Sequence, residues 1–355
     1  MTLYLLKISV FIALILVALV AVFVRQHWAP ERTVAELERW QLPNSEFISV
    51  QGMRVHVVQS NKCQAYQSDE LTKVTMAIKA ADDSNPSNIS EIETIVLLHG
   101  TSASLHTWEG WTAALLDRYC VVSMDLPGFG LTGPYTDERT AYNSENYAAF
   151  VIEVLDQLKL NKVTLAGNSL GGKIAWRTAA LYPERVNRLI LVNAVGYPTT
   201  PKQVPIGFKL AKYPVMTPIL SRILPRNVVK DSVLSVYADK NKVDETLIDR
   251  YYELSLRQGN RQALGRRLSD TDDERHQEQI KQLSLPTLIL WGAKDNLIPV
   301  ENAALFHRDI RDSQLVIFDD LGHVPHEEDP AATVQIVKQF LAKEEVSDEH
   351  KQKVP

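Results

Sequence analysis

Cysteine is nearly absent from this 355-residue chain, which holds only Cys63 and Cys120. Two thiols cannot build a disulfide framework, which excludes the small stapled domains. One bridge is the most they allow, and Cys120, in the apolar run Y-C-V-V-S-M, reads as a buried, inert thiol. A basic excess is also lacking: 38 Lys and Arg stand against 43 Asp and Glu, a formal net charge of -5. That argues against a nucleic-acid partner, whose binding domains are usually strongly basic. No internal repeat is visible, which disfavours a solenoid. The remaining balance, 45% hydrophobic and 23% charged, is that of one large globular domain or two smaller ones.

Two local absences say more. Ile8 to Val24 contains no charged residue, a run of 17 positions. At ~1.5 Å per residue it spans roughly 26 Å, and extension back to Leu3, with the Lys7 ammonium reaching the interface, makes it long enough to cross a bilayer. The run is long for a signal peptide and no A-x-A site follows it, so residues 1–28 read as an uncleaved single-pass membrane anchor and 29–45 as a linker. Lys7 precedes the span while Arg25, Arg32 and Arg39 follow it, a small bias toward a cytoplasmic body. The second absence is of acid: none occurs between Val195 and Lys230, yet Lys202, Lys209, Lys212, Arg222, Arg226 and Lys230 do.

Past the anchor, Ala29 to Trp40 reads as a short amphipathic helix starting at Pro30. Phe47 to Val50 and Met53 to Val58 alternate around Gln51-Gly52, as in a hairpin. Asn61 to Glu93 is polar and reads as a surface loop carrying the sequon Asn88-Ile89-Ser90. From Thr94 short unbroken apolar runs alternate with helical stretches. The runs are Thr94–Leu98, Cys120–Met124, Val163–Ala166, Leu189–Val192, Thr287–Trp291 and Leu315–Phe318. The helical stretches include Tyr147–Leu158, Leu170–Leu181 and Ala331–Ala342. Unbroken apolar strands are buried on both faces, so an α/β fold is expected, a mostly parallel sheet flanked by helices. Its core would be 46–196 and 283–345, with a helical lid at 197–282 after the sixth strand and a disordered tail at 346–355.

Ligands of such sheets bind at the carboxyl ends of the strands. One strand there runs into Gly167-Asn168-Ser169-Leu170-Gly171, a G-x-S-x-G between strand and helix. A serine on that sharp turn projects its hydroxyl into the cleft, while the helix directs its N-terminal dipole at a developing oxyanion. A serine hydroxyl needs a base. His323, after a strand and Gly322, is the best candidate, ahead of His326, which reads as a surface residue at the start of the last helix. The pair His323-x-x-His326 lacks a third ligand at metal-site spacing. Asp295 follows an apolar strand directly and would hold the imidazole; Asp319 and Asp320 stand too near His323 in sequence to do so easily. The order Ser169, Asp295, His323 suits nucleophile, acid and base. The backbone N–H groups of Thr101 (with Ser102 as the alternative) and Leu170 are the expected oxyanion donors. No metal or organic cofactor is needed for this chemistry.

The segments L-L-H-G-T, M-D-L-P-G-F-G, G-N-S-L-G-G, Y-P-E-R-V-N-R-L-I-L-V, W-G-A-K-D-N-L-I-P and L-G-H-V-P-H-E-E-D-P resemble, in order and spacing, the α/β-hydrolase superfamily from Phe47 to Lys343. Serine rather than aspartate at the elbow sets the chain apart from haloalkane dehalogenases and epoxide hydrolases. G-N-S-L-G-G is similar to the carbon–carbon hydrolases of aromatic degradation, but T-S-A-S replaces their glycine-proline pair in the oxyanion loop. An anchor joined to a hydrolase body resembles the membrane-anchored monoacylglycerol lipases. The resemblance implies a serine esterase or lipase acting on a small-molecule ester or lipid, with the membrane as partner through the anchor. The acid-free stretch of the lid reads either as a cap whose apolar face lines the substrate pocket while its lysines are solvated, or as a half-lid that rests on an anionic membrane surface. Carbon–carbon hydrolysis, amide hydrolysis and a non-catalytic binding protein are the alternatives.

Overall fold

The structure is a computed structural model and describes residues 2–63, 93–198, 222–270 and 274–351. The sequon at Asn88 and the segment carrying Lys202, Lys209 and Lys212 lie outside the described residues.

Helix α1 (Thr2–Gln26) is apolar apart from its ends, Lys7 and Ser9, and its large apolar side chains from Tyr4 to Phe23 are exposed. Its Tyr4–Gln26 stretch, of mean hydropathy 2.9, is long enough to cross a membrane by length and composition, a property that anchors and signal sequences share.

The linker departs from expectation. Only Ala35–Trp40 is helical, as a 3₁₀ turn. Before it the chain is held by pairing: the Ala29 amide donates to the Arg222 carbonyl (3.0 Å) and the Leu224 amide to the His27 carbonyl (3.2 Å). The Arg32 amide donates to Leu256 (2.7 Å), Gln258 donates back to Arg32 (2.9 Å), and the Glu31 carboxylate accepts the Gly259 amide (3.0 Å). Backbone groups satisfied across the chain in this way are not available for a helical ladder.

Eight strands follow in one sheet: β1 (Ser45–Val50), β2 (Met53–Gln59), β3 (Thr94–Leu98), β4 (Cys120–Met124), β5 (Val163–Asn168), β6 (Val186–Val192), β7 (Thr287–Gly292) and β8 (Ser313–Phe318). The spatial order is β1-β2-β4-β3-β5-β6-β7-β8. The hairpin β1–β2 turns at Gln51 and Gly52, whose φ values of 51° and 74° fit a two-residue turn matched to strand twist. The β1–β2 and β2–β4 pairs are antiparallel and the rest parallel. Every residue of β3, β4 and β5 is buried, as the unbroken apolar runs require, whereas the edge strand β8 is partly exposed.

Helices α2 (Glu109–Leu115), α3 (Ser144–Gln157), α4 (Leu170–Leu181), α8 (Glu301–Asp309), α9 (Pro325–Glu328) and α10 (Pro330–Lys351) belong to this core. Two apolar clusters cover the sheet, one rich in residues of α3 and α4 and one built on Trp108, Trp111 and Phe340. Between β6 and β7 the described insertion holds α5 (Arg226–Val236), α6 (Glu245–Ser255) and α7 (Asn260–Ser269). Helix α10 continues to Lys351, so the tail expected to be disordered from 346 begins inside a helix.

Cys63 and Cys120 form a disulfide. This corrects the reading of Cys120 as a free thiol. The apolar context of Cys120 did signal burial, but it could not show that the chain after β2 returns to place Cys63 beside β4. The Ser60 amide donates to the Val121 carbonyl (2.9 Å) at the same place.

Candidate active site

Strand β5 passes into α4 at Ser169, whose φ of 54° and ψ of -113° are strained for a residue with a side chain. The turn closes because its neighbours are glycines. A Cβ on Gly171 would strike the Leu98 and His99 carbonyls, and one on Gly167 would strike the Gly171 backbone. No side chain caps α4, so the N–H groups of its first turn, beginning with Leu170, have no partner within the helix.

Asp295 and His323 come together as expected. His323 Nδ1 lies 2.7 Å from Asp295 Oδ2, and both residues are buried. Asp295 Oδ1 accepts the Leu297 and Ile298 amides (2.7 and 3.0 Å), and Oδ2 also accepts the Asn193 side-chain amide (2.7 Å). Burial alone would raise the Asp295 pKa. The charge and hydrogen bond of His323, with the Ile298 and Asn193 donors, outweigh it and hold the carboxyl below its ordinary range. A carboxylate so fixed holds the His323 ring in place through Nδ1.

Asn168, adjacent to Ser169, ties the two halves together: its amide donates to the His323 carbonyl (3.0 Å) and to Val192 (3.1 Å). Asn193 and Asn168 were not singled out in the sequence. The signal for Asn193 was faint: an asparagine directly after a buried strand, where its φ of 43° is tolerated better than by most residues.

Thr101 follows Gly100, whose would-be Cβ lies 3.2 Å from the Ser169 Cβ, so the two loops meet. Buried His99 accepts the Leu126 amide on Nε2 (3.0 Å) and therefore donates from Nδ1 to the Gly100 carbonyl (2.7 Å). Burial, stronger than the pull of Asp125, lowers the His99 pKa and keeps the ring neutral. In a trans peptide the Gly100 carbonyl and the Thr101 N–H point in opposite directions, so this bond turns the Thr101 N–H away from His99. Beneath the loop, buried Asp125 accepts the Leu105 and Leu131 amides (both 2.8 Å) and contacts His56 Nδ1 (2.7 Å).

His326 is not on the surface as expected. It is buried against Trp108, with ring centroids 4.0 Å apart, and both ring nitrogens lack hydrogen-bond partners. Burial pushes its pKa well down. Pro325 at the first turn of α9 directs the chain back into the core there.

The insertion holds the histidine loop directly. The His323 amide donates to the Val236 carbonyl (2.8 Å). Buried Glu328 accepts the Gly322 amide (2.8 Å) on one oxygen and the Ala238 and Asp239 amides (3.0 and 2.8 Å) on the other. No cluster of metal-ligating residues occurs among the described residues.

An elbow serine, a carboxylate-bound histidine and a glycine-lined loop at the ends of parallel strands are the layout of one large group of hydrolases. The sequence agrees: the profile of the alpha/beta hydrolase fold matches residues 93–330, and the chain belongs to that family. An uncharacterised protein of Mycobacterium tuberculosis (strain H37Rv) is 31% identical over 70% of this chain and 74% of its own length. The 2-hydroxy-6-oxo-2,4-heptadienoate hydrolase of Pseudomonas putida F1 is 28% identical over 76% of this chain and 96% of its own. Among solved structures, a bacterial membrane phospholipase A aligns over 96% of this chain and 98% of its own, at 22% identity and a TM-score of 0.64. At that identity the likeness is one of fold.

Proposed function

We propose that this hydrolase cleaves carboxylic esters of lipid-like character through an acyl-enzyme on Ser169. The observation that carries the chemistry is the buried Asp295–His323 pair (2.7 Å) held beside the Ser169 elbow by Asn168. In this reading His323 takes the Ser169 proton, and Ser169 attacks the ester carbonyl. The oxyanion rests on the Thr101 and Leu170 N–H groups, the alcohol departs, and water activated by His323 releases the acid.

The lipid character is supported by how α1 joins the body. The residues just after it pair with 222–224 and 256–259, so the helical insertion is held to the end of the apolar helix. With α1 as an anchor, the insertion serves as a lid at the membrane surface. The Cys63–Cys120 bridge favours an oxidising compartment for the body, against the small charge bias of the flanks.

Carbon–carbon hydrolysis is the second reading, favoured by the match to nearly the full length of the heptadienoate hydrolase. Full-length protein in uncharged detergent is assayed on p-nitrophenyl esters of rising chain length and on a dienone acid. Turnover of medium and long esters, abolished by Ser169→Ala with folding intact, supports the proposal. Turnover of the dienone acid alone selects the second reading. Undiminished ester turnover by Ser169→Ala sinks the assignment.

A further inference from the structure

A cavity of about 580 Å³ holds none of Ser169, Asp295 or His323. It opens between the β1–β2 hairpin, the loop 131–142 and helix α7, beside Val34 of the segment that follows α1. Its charge is lopsided in an acidic chain. Arg54, Arg257 and Arg266 line it and Glu138 is its one acid. Asp137, near Arg266, is engaged by Arg139 at 3.0 and 3.1 Å. Phe47, Met53 and Leu131 supply an apolar floor.

Two polar groups there await a partner. Tyr135 is 4% exposed and its hydroxyl makes no hydrogen bond; Arg257 Nε, also buried, makes none. The Arg257 guanidinium lies where a side chain on Gly133 would sit, at a φ of 76°, so the loop leaves that space to it. Its remaining nitrogens donate to the Gln258 and Thr132 carbonyls (2.5 and 3.0 Å), which fixes its position; the nearby Glu31 carboxylate, itself engaged by the Gly259 amide, offsets part of its charge and leaves Arg54 and Arg266 as the cavity's cationic excess. A buried donor left unpaired is costly, and planar guanidinium groups match the oxygens of carboxylate and phosphate.

We propose that this cavity binds an amphiphilic oxyanion, a carboxylate or phosphate carrying an apolar chain, distinct from the substrate at Ser169. The oxygens pair with Arg54, Arg266 and the Tyr135 hydroxyl, and the chain lies on Phe47, Met53 and Leu131. Helix α7 links the two places. Its Gln262, Ala263 and Arg266 face this cavity, while Asn260, Arg261 and Leu264 line a small cavity at Ser102 and Ala103 of the oxyanion loop.

The test is calorimetric titration of the full chain in uncharged detergent, with inorganic phosphate, hexyl phosphate and hexanoate as probes. A parallel sample carries an alkyl fluorophosphonate on Ser169. One saturable site for hexyl phosphate or hexanoate is expected in both samples. It weakens about tenfold for each of Arg54→Gln and Arg266→Gln and several-fold for Tyr135→Phe. Binding that vanishes in the phosphonylated sample, or that ignores all three substitutions, overturns the proposal. Equal affinity for inorganic and hexyl phosphate overturns the amphiphilic assignment. Failure of the fluorophosphonate to label Ser169 would count against the ester-hydrolase reading alone, since the substitutions still report on this cavity.

Discussion

Glu328→Gln separates a structural carboxylate from one that positions the histidine. The substitution keeps volume and burial but turns one carboxylate oxygen into an NH₂. Ala238 and Asp239 donate to Oε1 (3.0 and 2.8 Å), whereas Gly322 donates to Oε2 (2.8 Å), which the shared Ala238 amide reaches only at a longer 3.2 Å. The amide oxygen therefore takes the two-donor side, and the NH₂ faces the Gly322 N–H, donor against donor. One charge-assisted bond is lost, about 2 kcal/mol, and the loss falls on the residue before His323. The melting temperature should drop by roughly 4–8 °C. On the proposed mechanism His323 is the base, and a small displacement of such a group can cost up to ~100-fold, so kcat on p-nitrophenyl butyrate should fall ~10- to 100-fold with KM changed less than about threefold. A Gln variant with the lowered melting point but full kcat would show that Glu328 holds only the insertion.

Gly100→Ala places a Cβ 2.9 Å from Asn168 Oδ1 and 3.2 Å from Ser169 Cβ; ester kcat should fall at least ~10-fold while thermal stability changes little. Asp125 is held down to about 2 from 3.8, the charge and hydrogen bond of His56 outweighing its burial. A carboxyl depressed by folding stabilises above its unfolded pKa, so about 2 kcal/mol should disappear as pH falls from roughly 4 toward 2, read by urea unfolding. Asp125→Asn should start less stable and lose that slope; an unchanged slope would contradict the role. Cys63→Ser with Cys120→Ser opens a link spanning 57 residues, which chain entropy values at about 4 kcal/mol. Dithiothreitol should lower the urea midpoint of the native protein to that of the double variant and leave the variant unmoved.

Much of this was legible because short-range physics wrote it. Unbroken apolar runs marked β3 to β7 within a residue or three, since burial on both faces leaves no room for alternation. The G-x-S-x-G elbow was readable because only glycine fits where Gly167 and Gly171 meet neighbouring backbone. Strand-end position singled out Asp295 and His323, and the structure brings the two side chains within 2.7 Å. Contacts between distant segments were silent. Nothing near Pro30 announces that residues 29–32 pair with 222 and 256–258. Glu328 looked like one acid in H-E-E-D, and His326 like a surface residue, because their burial depends on the insertion and on Trp108.

The fastening of Ser60, Cys63 and Glu93 to β4 bears on how three strands keep their register. Ser60 and Cys63 on one side and Glu93 on the other are fastened to the start of β4: Ser60 bonds Val121, Cys63 is linked to Cys120, and the Cys120 amide donates to the Glu93 carbonyl (3.1 Å). The exit of β2 and the entry of β3 are thereby tied to the same end of one strand, so the register of three neighbouring strands is set at a single place, and reducing the disulfide releases only one of its fastenings.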